Sequence, residues 1–226
     1  MKALYIGAVI VVQGRQLKIV EYGDVATRKR FEVERSRTFA MIKPDAYTNI
    51  GKIIDAIYLN DFKISKLKMS RFDASTSSVF YGEHKAKPFF PELQKFITSD
   101  VVVGMELVSD NAIDKWRTLI GPTNTLVAKQ NAPESLRAFF GTDGTKNAVH
   151  GSDSTTSVKR EIGFWFPDDG SKRAMRTTAQ LNNCTLCLIK PHIVTSGQAG
   201  MVIDLILSEG FEISAMEMFN LTNATA

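Results

Sequence analysis

The chain has 226 residues, 44% of them hydrophobic and 23% charged, with a net charge of +4. That length holds one full domain and part of another, and the composition excludes a disordered chain. Two cysteines are too few for a disulfide scaffold, and the scattered basic residues do not form the stripe with interleaved aromatics that marks a nucleic-acid binder.

Residues 3–12 and 16–22 are β-rich runs on either side of Gln13-Gly14-Arg15, which predicts a hairpin. The first run follows a single lysine, lacks a clean small-x-small cleavage site and is too short to span a bilayer. It therefore reads as a strand of a cytoplasmic protein with no membrane partner. Residues 1–36 are expected to be a hairpin remnant of an N-terminal module followed by a polar linker.

Regular structure resumes with the apolar strand Thr38–Ile42, and Ile50, Ile53, Ile54 and Ile57 follow at helical spacing. Leu67 and Met69 alternate with Lys66 and Lys68, which predicts a half-buried strand. Val101–Met105 is a continuous apolar run, read as a central strand. Asp110 is placed to cap a helix bearing Ile113, Trp116 and Ile120, stopped by Gly121-Pro122, and Val158, Ile162 and Trp165 mark a last helix. The order predicts an α+β fold of the ferredoxin-like split βαβ type, an antiparallel sheet with helices on one face.

Pro167–Asn183 reads as a linker, after which the beginning of the domain recurs. Thr38-Phe-Ala-Met-Ile-Lys43-Pro44 returns as Thr185-Leu-Cys-Leu-Ile-Lys190-Pro191, Gly51 and Asp55 as Gly200 and Asp204, and Phe62, Ile64 and Met69 as Phe211, Ile213 and Met218. The offset grows from 147 to 149 residues, so the second copy carries an insertion after Pro191. A period this long is a tandem duplication. The expected layout is one domain over residues 37–166, a linker over 167–183 and a truncated second copy over 184–226. Cys184 and Cys187 fall within a segment that reads as a buried strand; residues three apart on a strand face opposite ways, against a shared metal.

Asn147-Ala-Val-His150-Gly-Ser152-Asp153 is the segment with the sharpest chemistry. A neutral imidazole is a good nucleophile near pH 7, and it can accept a phosphoryl group if one ring nitrogen is exposed and the other held. Ser152 shares the His150 face on an extended segment.

This segment is the intact N-x-x-H-G-S-D signature of the nucleoside diphosphate kinases. The resemblance to that family runs from about Arg37 to Phe166. It includes Lys43-Pro44-Asp45, Lys87-Pro88-Phe89-Phe90, Gly121-Pro122-Thr123-Asn124 and Glu161–Phe166. It implies His150 as the phosphate acceptor, with Ser152 and Glu161 supporting it and Tyr81 lining the site. It implies Lys43, Arg117, Thr123 and Arg137 on the phosphates, Asn147 on the ribose and Phe89 stacked on the base. ATP, GTP and other nucleoside di- and triphosphates are the implied partners, with Mg²⁺ carried by their phosphates. His84 and His192 match no family role. The apolar side chain that typical members set against the other face of the base, near Gly144, is missing. The N-terminal residues and the tandem layout resemble ciliary members of the family, which implies microtubule association, an axonemal or organising-centre location and a scaffold role beside catalysis. Homo-oligomerisation is implied by single-domain relatives, with pairing of the chain's own two copies as the alternative.

Overall fold

A computed structural model describes residues 9–24, 26–27, 35–167 and 175–221. The chain divides into two compact units, residues 1–35 and 36–226. In the first, β1 (Val9–Val12) and β2 (Arg15–Lys18) pair antiparallel, Val12 opposite Arg15. Gln13 and Gly14 both take positive φ, 50° and 75°, the conformation whose twist suits a two-residue hairpin turn. The predicted hairpin forms, with its second strand ending at Lys18 instead of residue 22, and residues 3–8 of the first run lie outside the described residues.

The second unit is built on a four-stranded antiparallel sheet. Its strands are β3 (Arg35–Ile42), β4 (Lys63–Arg71), β5 (Val101–Asp110) and β6 (Val149–Gly151), in the order β4-β5-β3-β6. Between β3 and β4 lie a 3₁₀ turn at Pro44–Asn49 and helix α1 (Ile50–Leu59). A helical hairpin, α2 (Ala74–Phe80) and α3 (Phe90–Ile97), separates β4 from β5, and its first helix opens with a capping box between Asp73 and Thr76. Helices α4 (Ala112–Ile120), α5 (Thr125–Asn131) and α6 (Leu136–Phe140) lead to β6, and α7 (Thr155–Trp165) follows it. This is the expected ferredoxin-like order.

Alternation along β3 divides the core. Ala40 and Ile42 join Ile50, Ile53, Ile54, Ile57, Trp116 and Ile120 on the face of α1 and α4. Phe39 and Met41 join Phe72, Phe80, Ile97 and Trp165 on the other. The helices of the split βαβ thus cover one face, while α2, α3 and α7 cover the second. Gly104 on β5 makes this possible: a Cβ there would collide with the Trp165 ring.

Three expectations need correction. Asp110 does not cap α4; it ends β5, and Asn111, at φ 48°, takes the N-cap position without a side-chain bond. The β4 strand is not half-buried, because Lys68 and Ser70 are buried as well as Leu67 and Met69. Residues beyond the first copy cover them: Ser70 Oγ donates to Arg176 O at 2.5 Å, and Lys68 bridges Glu217. Cys184–Ile189 is not a buried strand. It is irregular, both cysteines are exposed and Leu186 is 90% exposed. A strand leaves its N–H and C=O groups for neighbours to satisfy. The first copy clasps β3 between β5 and β6, whereas among the described residues no strand pairs with Cys184–Ile189. The second copy does form helices, α8 (Pro191–Thr195) and α9 (Ala199–Ser208).

Candidate active site

Strand β6 opens on a strained turn. Val149 N–H donates to Asn147 O at 2.7 Å across Ala148, whose φ is 64°. A two-residue hydrogen bond closing on a positive φ is the rare form of γ-turn. Both sides of the turn are tied to β3 and the segment after it. Lys43 N–H donates to Ala148 O at 2.8 Å, and Asp45 Oδ2 accepts from Ala148 N–H at 2.9 Å. The strand then pairs Met41 with His150.

His150 is held from several sides. Trp116 Nε1 donates to its carbonyl at 3.2 Å, and Phe39, Phe80 and Tyr81 surround its ring at centroid distances of 6.1, 5.6 and 6.0 Å. Its Nε2 lies 3.1 Å from Glu161 Oε1, while Ser152 Oγ donates to Glu161 Oε2 at 2.5 Å. Burial disfavours the Glu161 carboxylate, but His150, Ser152 and Arg160 together outweigh it and hold its pKa below the usual value. With Nε2 engaged, Nδ1 is the ring nitrogen left for a substrate.

Cations gather on the same side. Lys43 Nζ donates to Asn147 Oδ1 at 2.7 Å and to Thr145 O at 3.1 Å. Burial, and then the charge of Arg137, lower its pKa to about 8. Arg137 donates to Gly121 O at 2.8 Å and Val149 O at 3.1 Å, with Thr123 Oγ1 at 3.5 Å. Burial, and then Arg117, lower the Arg137 pKa to about 10. Arg117 and Thr123 are exposed. The Nε of Arg137 and the hydroxyl of Tyr81 are buried with no hydrogen-bond partner among the described residues. Burial, and then the nearby Glu161, raise the Tyr81 pKa, so the phenol stays neutral. Buried cations whose charge is disfavoured, beside unpaired donors, suit an anion that brings charge and acceptors of its own.

Every residue expected in the site except Phe89 is linked to this cluster by a bond, a ring contact or an electrostatic effect. Phe89 is 48% exposed and stands apart, its ring 5.6 Å from that of His84, which in turn stacks on Tyr81. Phe90, partly buried, packs against the core. Asn147 is committed within the protein: its Nδ2 donates to Thr123 O at 2.8 Å and Gly144 O at 3.0 Å. Among the described residues nothing lies within 4 Å of where a Cβ at Gly144 would stand.

Two participants were not singled out from the sequence. Asp45 pins the strained turn, and its place in Lys43-Pro44-Asp45 was the available signal. Arg160 donates to both oxygens of Glu83, at 2.7 and 3.0 Å, and to Glu161 Oε1 at 3.3 Å. It joins α7 to the turn that carries His84. Its neighbour Glu161 drew attention, but no local pattern reveals a partner 77 residues away. No helix among the described residues is long and apolar enough to cross a membrane.

The family model for nucleoside diphosphate kinase matches residues 36–170. The chain is 42% identical over 221 residues to nucleoside diphosphate kinase homolog 7 of Rattus norvegicus, covering 98% of this chain and 56% of that protein. It therefore spans little more than half of that relative. It is 45% identical over 132 residues to nucleoside diphosphate kinase of Aquifex aeolicus, covering 58% of this chain and 93% of the relative. The crystal structure of the Aquifex aeolicus enzyme superposes with a TM-score of 0.56 at 44% identity, over 57% of this chain and 92% of that one. The Halobacterium salinarum nucleoside diphosphate kinase in complex with CDP gives 0.56 at 35% identity, over 60% and 90%.

Proposed function

Because the chain belongs to the nucleoside diphosphate kinase family, we propose that it transfers the γ-phosphoryl group of a nucleoside triphosphate to a nucleoside diphosphate through His150. In the first half-reaction His150 Nδ1 attacks the γ-phosphorus, the bond to the β–γ bridging oxygen breaks, and the nucleoside diphosphate leaves with that oxygen. Glu161 keeps the Nε2–H in place and offsets the positive charge that develops on the ring, while Ser152 holds the second carboxylate oxygen. In the second half-reaction a β-phosphate oxygen of an incoming diphosphate attacks the phosphohistidine and restores the imidazole. Nothing is oxidised, and no water takes part.

The observation that carries this reading is the Ser152–Glu161–His150 chain facing a cluster of buried cations. Lys43, Arg117 and Arg137 would oppose the charge spread over the oxygens of the phosphoryl group in flight, and the neutral Tyr81 hydroxyl would donate there. Phe89, exposed at the rim, offers a stacking face that every base fits. The CDP complex of the halophilic relative supports a nucleotide as the ligand. The donor set suits Mg²⁺ that arrives on the nucleotide: Asp45 Oδ2 is turned to Ala148 and Glu161 to Ser152 and His150. When bound, the metal would neutralise phosphate charge.

The test is incubation with Mg²⁺ and γ-labelled ATP. The expected result is acid-labile, base-stable label that discharges onto added GDP and is lost in His150→Ala. A folded wild type that takes up no label would overturn the proposal.

A further inference from the structure

Ala148 is held in a conformation that an alanine rarely adopts. Its φ is 64°, in the region that favours glycine, and the turn closes with Val149 N–H on Asn147 O at 2.7 Å. A strained residue persists only where its surroundings over-determine it. Two bonds from outside the turn do so here. Lys43 N–H donates to Ala148 O at 2.8 Å, and Ala148 N–H donates to Asp45 Oδ2 at 2.9 Å. The first runs from backbone to backbone and asks nothing of a side chain. The second rests on one carboxylate.

That carboxylate is poorly satisfied where it stands. Its other oxygen, Oδ1, is buried with no hydrogen-bond partner among the described residues. Burial raises the Asp45 pKa, against the bond from Ala148 and the charge of Lys43. A buried acceptor left unpaired costs stability, and what Asp45 secures in return is the turn. Three groups depend on it. Before the turn, Asn147 Oδ1 accepts from Lys43 Nζ at 2.7 Å. After it, Val149 O accepts from Arg137 at 3.1 Å, and His150 is the next residue of β6. Lys43 and Arg137 have long side chains that can follow a bound phosphate. The short imidazole arm reaches Glu161, Nε2 to Oε1 at 3.1 Å, only from where β6 sets it. Granted phosphoryl transfer through His150, we infer that Asp45 is a positioning residue for it: by holding Ala148 at positive φ it aims the His150 ring, and it acts through the turn and not through its charge.

Four variants of the full chain test this: Asp45→Ala, Asp45→Asn, Ala148→Gly and Asp45→Ala/Ala148→Gly. Single-turnover labelling by saturating γ-labelled ATP with Mg²⁺ reads the rate, and calorimetry reads the affinity for ADP. Near-ultraviolet dichroism of Trp116 and Trp165 reads folding, and crystal structures read the turn. Asp45→Ala is expected to take up label about 10²-fold more slowly, the usual effect of a small misalignment of reacting atoms. Its ADP affinity should change far less, and Ala148 should relax to negative φ. Asparagine keeps an acceptor and removes the charge, so Asp45→Asn should label close to the wild-type rate. Glycine takes positive φ without strain, so the double variant should regain most of the rate lost in Asp45→Ala. Ala148 still at positive φ in Asp45→Ala would overturn the role of Asp45, as would a relaxed turn that labels at full rate. Asp45→Asn as slow as Asp45→Ala would assign the effect to charge, and a double variant that regains nothing would separate it from the turn; either overturns the inference. Should Asp45→Ala fail to fold, Ala148→Gly is compared with the double variant: equal rates are expected, and a gap of about tenfold or more counts against the turn. A wild type that takes up no label overturns the reaction and this role together, whereas each of the other outcomes overturns the role alone.

Discussion

Thr38–Lys43 and Thr185–Lys190 share one pattern of apolar residues ending in lysine, and they reach opposite states. The first is a buried strand whose lysine holds Asn147; the second is an irregular segment whose lysine is exposed. The helices that follow do not diverge. Ile50–Leu59 and Ala199–Ser208 are both ten-residue helices. A helix closes its hydrogen bonds within its own segment, whereas a strand closes them only on neighbours. Equivalent sequences therefore give equivalent helices, while the strand forms only where β5 and β6 receive it.

The contrast is most exposed to attack in the core. Phe39→Ala removes a fully buried ring and is expected to cost about 3–5 kcal/mol in denaturant unfolding. Leu186→Ala, its repeat counterpart, should change stability by no more than about 0.5 kcal/mol. Equal losses would mean that the second segment is packed as a strand after all.

The lysines come next. Lys43→Ala should lower the rate of phosphoryl transfer by about 10²–10³-fold, the usual effect of removing one preorganised charge partner of the transition state. Lys190→Ala should leave the rate unchanged. A shared loss would place both copies in one site.

A smaller effect concerns protons. The folded Lys43 titrates near pH 8, against 10.5 for an ordinary lysine. Between those values the unfolded chain holds a proton that the folded lysine has lost, so this group adds stability as pH rises through the window and costs stability below it. A bound polyphosphate favours the charged lysine. Nucleotide binding at about pH 8.5 should therefore take up a fraction of one proton, seen by calorimetry in buffers of different ionisation enthalpy and lost in Lys43→Ala. Uptake that persists in the variant would assign the proton elsewhere.

The smallest change is expected at Arg160, which is 41% exposed. Arg160→Met should cost no more than about 1 kcal/mol of stability. It should nevertheless alter the acid limb of His150 phosphorylation, because it frees Glu161 Oε1 from a competing donor. An unchanged pH profile would reduce Arg160 to a surface ion pair.

The His150 cluster was legible because its residues lie in short motifs whose spacing survives folding. Helices α1, α4 and α7 were legible because apolar periodicity is a local property, whereas the short helices α2, α3, α5 and α6 were not read from the sequence. The αL cap at Asn111 was not, since Asp110 looks the better cap until β5 claims it as its last residue. Burial of Lys68 and Ser70 was not either, because an alternating strand gives no sign that a distant segment will cover its polar face.

The sequence by itself determined the repeat, the helices α1, α4 and α7 and the identity of the groups around His150, all of which rest on spacing along the chain. Only the tertiary structure decided which copy becomes a sheet, where Arg160 finds Glu83, and that residues 199–218 fold back on their own counterpart. Those outcomes depend on hydrogen bonds and charges contributed by residues far apart in the chain, and whether such partners meet is settled by packing.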